Sequence, residues 1–84
     1  MEKTLFVKVG QVVKAKAGRD VGKVFLVYSI VDDEFVKIVD GKSRKLMKPK
    51  LKKIKHLSLY NDVINIDVEN FNDSYIRKML KIYD

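Results

Sequence analysis

Residues 10–27, GQVVKAKAGRDVGKVFLV, decide the fold. From Gln11 to Ala17 the apolar residues alternate, with Val13, Ala15 and Ala17 on one side and Lys14 and Lys16 on the other. A period of two with small and β-branched residues is the signature of a half-buried strand. The segment Ala17-Gly18-Arg19-Asp20-Val21-Gly22-Lys23 then places charges between two apolar arms. Its two glycines permit positive φ, and they let the backbone approach another molecule with no Cβ in the way. Lys23 to Val31, KVFLVYSIV, follows with apolar residues on both faces, so a strand covered on both sides or set in a strongly curved sheet is expected. The whole unit is strand, glycine turn, strand.

Downstream, Asp32-Asp33-Glu34 is a polar turn, and Phe35 to Asp40 is the next strand, with Val36 and Ile38 on one face. Asp40-Gly41 is a hairpin signal. From Lys42 to Lys55 there are eight Lys/Arg and no acid, with Leu46, Met47, Leu51 and Ile54 threaded through them. Pro49 cannot donate to a ladder and marks an edge or a break. Two short strands are expected here, near Arg44 to Lys48 and Lys52 to Leu57, on either side of the proline. Five short strands with glycine-marked turns indicate a mainly β chain, a small barrel over residues 10–57. Residues 1–9 are expected to be an extended or irregular lead-in, in which Leu5 and Val7, or Phe6 and Val9, cover one end of the core.

Residues 58–84 form a C-terminal extension of different character. Asparagines at 61, 65, 70 and 72 break up the apolar residues that follow Ser58, so a linker wrapping the barrel, with one extended piece, is expected up to Phe71. Asn72-Asp73-Ser74 is a helix start. Ile76, Met79, Leu80 and Tyr83 then make the apolar stripe of a short α-helix at about 73–83.

The charge is uneven. The chain of 84 residues carries a formal +7. Residues 10–57 hold thirteen Lys/Arg against five Asp/Glu, whereas 58–84 hold three against five. The basic character therefore belongs to the barrel, and it implies a polyanionic partner. The chain has no cysteine, which removes disulfides, thiolate metal sites and cysteine nucleophiles, and fits a reducing cytosol. His56 is the sole histidine, and no metal or other cofactor is expected from it. No Ser–His–Asp arrangement and no convergent carboxylate pair can be assembled, so the chain is not expected to be an enzyme. No apolar run reaches membrane-spanning length, and the start of the chain lacks the form of a signal peptide. The basic residues fall on strands rather than an amphipathic helix, which argues against a membrane surface.

Together, Gly10-Gln11-Val12-Val13, Ala17-Gly18-Arg19-Asp20-Val21-Gly22-Lys23 and Asp40-Gly41-Lys42-Ser43-Arg44-Lys45-Leu46 resemble the KOW motif. The likeness covers roughly residues 9–57. Within that family it is nearest to the KOW-containing large-subunit ribosomal proteins of archaea and eukaryotes and their small bacterial relatives. One departure is that Val24-Phe25 follows Lys23 where many KOW loops place a further glycine. The resemblance implies an SH3-like barrel of about five strands that binds structured RNA without catalysis.

The expected contact surface is then Lys14, Lys16, Arg19, Lys23, Lys42, Arg44, Lys45, Lys48, Lys50, Lys52, Lys53 and Lys55, with Gly18, Gly22 and Gly41 setting loop geometry. Lysines place phosphates without reading sequence, while Arg19 and Arg44 can fork onto a phosphate or stack on a base. The bland alternative for such a run is a solvated surface that only aids solubility; the density of charge and the absence of acids weigh against it. Asp20 is expected to cap its turn. Phe25 and Phe35 are expected in the core, with Tyr28 either there or serving as a stacking platform. The expected partner is RNA, ribosomal RNA or the ribosome, met by a cytoplasmic monomer. The alternative is a protein-interaction module of a transcription–translation complex, with its partner on the ribosome.

Overall fold

The computed structural model describes residues 7–83. It is mainly β, with five antiparallel strands: β1 (Gln11–Ala15), β2 (Val24–Ile30), β3 (Phe35–Val39), β4 (Lys50–Lys53) and β5 (Leu57–Val63). The order across the sheet is β4-β3-β2-β1-β5, so the last two strands lie at opposite edges. One turn of 3-10 helix, Ile54–His56, joins them. A flat sheet of this width would hold its edges about 19 Å apart at ~4.8 Å per strand. The four residue steps from Lys53 to Leu57 reach at most about 14 Å. The sheet must therefore curl.

Curling divides the apolar residues into two clusters. Inside it lie Val13, Ala15, Phe25, Val27, Val36, Ile38, Ile54 and Leu57, with Val7 from the lead-in. Leu5 and Phe6 lie outside the described residues, and Val9 is exposed. The second cluster, on the outer face, holds Val12, Leu26 and Val39 beneath Ile64, Ile76 and Leu80 of the C-terminal extension. The double-faced apolar pattern of β2 thus has a simple cause: Phe25 and Val27 face inward, while Val24 and Leu26 face the extension. Near its end β2 holds one residue more than β3, shown by the shift from Val27↔Ile38 to Ser29↔Lys37. That extra residue, Tyr28, stacks on Phe71 at 6.2 Å, and Phe71 meets Tyr75 edge-on at 5.8 Å. These rings fasten the extension to the sheet.

Two strand expectations need correction. No strand forms at 44–48, because side chains capture its backbone. The Asp40 carboxylate accepts from the N–H groups of Lys42 (2.9 Å) and Arg44 (2.8 Å), and the Leu46 N–H donates to Asp73 (2.9 Å). Such local bonds compete with a ladder. The strand begins only after Pro49, pairing Lys50 with Ile38. The fifth strand lies further on, at Leu57–Val63, within the stretch expected to be mostly linker. It pairs with β1, from Ala15↔Leu57 to Gln11↔Val63. A register shift between Gln11 and Val13 lets β5 take up extra residues opposite them, a bulge that absorbs the strand-averse Asn61 and Asp62.

Helix α1 (Asp73–Leu80) starts where expected, with the Asn72 side chain accepting from the Tyr75 N–H at 2.8 Å. It continues as a 3-10 turn over Lys81–Tyr83. Ile76 and Leu80 are buried and Tyr83 is half-buried, while Met79 at the stripe's margin keeps 37% of its surface exposed.

Candidate nucleic-acid interface

Two loops and one helix meet at one end of the sheet. The β1–β2 loop (16–23) and the β3–β4 loop (40–49) are tied together by Arg44, whose Nη2 donates to Asp20 Oδ2 at 3.0 Å. Asp20 is only 3% exposed, and Lys23 Nζ lies 3.9 Å from its other oxygen. Asp20 therefore anchors the neighbouring loop through its side chain. The Arg44 Nε is buried without a hydrogen-bond partner among the described residues, so the bridge is single-pronged. Lys52 makes a second tie. It is 8% exposed, and its Nζ donates to the Ala17 carbonyl at 2.8 Å. Its aliphatic stem faces the interior and its ammonium reaches the loop.

Helix α1 holds the β3–β4 loop from the other side. Arg77 Nη1 donates to the Gly41 carbonyl at 2.7 Å, and Asp73 receives the Leu46 N–H. Gly41 has φ 77°, and a Cβ there would run into the Asp73 carbonyl and lie 3.0 Å from Arg77 Cγ. It is glycine for both conformation and room. Gly22 has φ 88° with nothing within 4 Å of a Cβ position, so conformation alone requires glycine and its backbone is bare. At Gly18 a Cβ would meet the Lys52 ammonium at 2.9 Å.

Between these parts lies a half-open cleft of about 580 Å³, lined by Lys14, Gly22, Lys23, Val24, Asp40, Lys42, Ser43, Arg77, Leu80 and Tyr83. The Asp40 carboxylate also receives the Ser43 hydroxyl at 3.3 Å, so three donors of its own loop engage it. The cleft's remaining charge is positive. Around the corner, Lys42, Lys45, Lys48 and Lys50 line a second groove with Met47, which is 96% exposed, and Leu51.

The twelve expected contact residues therefore separate. Lys14, Lys23, Lys42, Lys45, Lys48 and Lys50 share the two adjoining hollows. Lys16 and Arg19 are exposed on the β1–β2 loop. Lys53 and Lys55 line a different hollow, beside Asp33 and Glu34, and Lys53 sits 5.9 Å over the Phe35 ring. Arg44 lines the second hollow as well, and both it and Lys52 hold loops. Phe25 is fully buried, Phe35 is half-buried, and the exposed face of Tyr28 is partly taken by Phe71. His56 is half-buried beside β1, its carbonyl accepting from the Lys16 N–H at 2.8 Å.

Sequence patterning did not point to Arg77 or Tyr83 as cleft residues. Arg77 lies next to Ile76, whose burial on the outer face turns the arginine toward Gly41. Tyr83 is set by its ring against Tyr60 (5.0 Å, edge-on) and by its hydroxyl, which donates to Asp62. That carboxylate bond, with a smaller contribution from burial, pushes the Tyr83 pKa up to about 12. The folded chain then holds this proton more tightly than the unfolded one. The contact stabilises fully below the ordinary tyrosine value of about 10 and is lost as pH rises toward about 12. Melting temperature is expected to fall across that window, and to fall less in Tyr83→Phe. An identical slope in the two proteins would show that the phenol is not the titrating group.

Among the described residues, no helix is long and apolar enough to cross a membrane. Neither a scan of known protein-family models nor a search of curated proteins finds a match to this chain.

Proposed function

We propose that this chain is a non-catalytic, cytoplasmic RNA-binding protein that associates with ribosomal RNA or the ribosome as a KOW-type module. One observation carries the reading: Lys14, Lys23 and Lys42 line one cleft together with Gly22, whose Cβ position is open. Phosphates are held by lysine charge, and a glycine turn without a Cβ lets the sugar–phosphate chain lie against the protein. The adjoining groove with Lys45, Lys48 and Lys50 extends the same face.

The test is salt dependence. Neutralising about six phosphates gives a log–log slope of about −4 to −5 for binding to a ribosomal RNA fragment. An affinity indifferent to salt, or no binding near physiological ionic strength, rules the proposal out. A second reading, a protein-interaction module of a transcription–translation complex, draws on Met47 and Ile82, which stand 96% and 81% exposed. Co-sedimentation with ribosomal proteins that survives nuclease treatment would favour it.

A further inference from the structure

We infer that the cleft between the two loops and α1 receives one unpaired nucleotide of the bound RNA, its base against an apolar wall and its phosphates on a basic rim. The inference rests on the RNA-binding reading and adds what kind of RNA the site selects. The cleft has two chemistries. Val24, Leu80 and Tyr83 supply apolar lining, and Lys14, Lys23, Lys42 and Arg77 supply positive charge in excess of the one carboxylate, Asp40. A surface that only followed a duplex backbone would need the charge but not the wall. Its volume, about 580 Å³, lies in the range of pockets that enclose small organic groups.

The apolar wall is held in place before any ligand arrives. Tyr83 is fixed by its edge-on contact with Tyr60 and its hydroxyl bond to Asp62. Arg77 is held by the Gly41 carbonyl through Nη1. A base stacked on a fixed ring loses less freedom on binding than one meeting a mobile ring. A fully paired base cannot enter such a cleft, because its faces are covered by its neighbours in the helix. A bulged or looped-out base can, as is common where RNA is recognised by unstacked bases.

The experiment compares two RNA hairpins of the same stem, one fully paired and one carrying a single-nucleotide bulge of 2-aminopurine. The full chain is expected to bind the bulged hairpin on the order of tenfold more tightly, the effect of one stacked base, and the 2-aminopurine emission should change on binding. Tyr83→Leu keeps an apolar wall but removes the ring, and should bring the bulged hairpin down toward the affinity of the paired one. Circular dichroism establishes that the variant is folded, and the comparison on the unaltered chain stands without it. Equal affinities with unchanged emission would overturn the nucleotide cleft and leave RNA binding standing. Failure to bind either hairpin at low salt would overturn RNA binding itself.

Discussion

Arg44→Ala is expected to destabilise the fold by about 3 kcal/mol. At first sight Arg44 is one more member of a basic run, and alanine there should cost RNA contacts alone. Its Nη2 instead meets Asp20, a carboxylate 3% exposed, at 3.0 Å. Removing the guanidinium leaves that carboxylate buried, with Lys23 at 3.9 Å as its remaining cation among the described residues. A fully buried, bidentate pair would lose more. This one is single-pronged and partly open on the arginine side, which lowers the figure. For a domain of this size the loss corresponds to a melting temperature lower by roughly 12–24 °C. Asp20→Asn/Arg44→Ala should recover part of the loss, because no charge is then stranded. Arg19→Ala, at an exposed position, should leave the melting temperature within about 2 °C. Equal, small effects of Arg44→Ala and Arg19→Ala in thermal unfolding would show that the bridge contributes nothing.

Gly41→Ala is expected to undo the docking of α1, at a cost of about 3 kcal/mol. Positive φ costs a residue with a Cβ about 1–2 kcal/mol. The new methyl also strikes the Asp73 carbonyl and crowds Arg77 Cγ at 3.0 Å, an overpacking cost of about 1–3 kcal/mol. Gly22→Ala has nearly the same φ but open space, so only the first cost applies. The difference between the two variants isolates the helix contact. Hydrogen exchange should show α1 amides losing protection in Gly41→Ala and keeping it in Gly22→Ala. Equal protection in both would mean that the helix does not depend on its seat against this loop.

Much of the fold is legible in the chain. β1, β2 and β3 announce themselves because each alternates, or is apolar throughout, and each has a buried inner face. The helix start at Asn72 is equally clear, since capping is local chemistry. The fourth and fifth strands are hidden for opposite reasons. In β4 the pattern is inverted: Lys52 points inward and Leu51 is half exposed, because Lys52 reaches the Ala17 carbonyl. β5 is an edge strand exposed along most of its length, and its alternation stops after Leu57-Ser58-Leu59. The candidate site divides the same way. The lysines of the glycine-turn loops were visible as charge; that Arg44 and Lys52 also tie loops together was not.

The sequence by itself determined a mainly β chain with glycine turns, a concentrated positive charge and a short capped helix, because these follow from period, backbone conformation and composition. Only the tertiary structure decided which cations face outward, because that depends on partners far along the chain: Asp20 for Arg44, Ala17 for Lys52, Gly41 for Arg77. It also decided that the C-terminal helix forms a wall of the basic cleft, since an apolar stripe specifies that a helix docks but not against which face. That face is set by the second apolar side of β2, left uncovered when the sheet curls around the first.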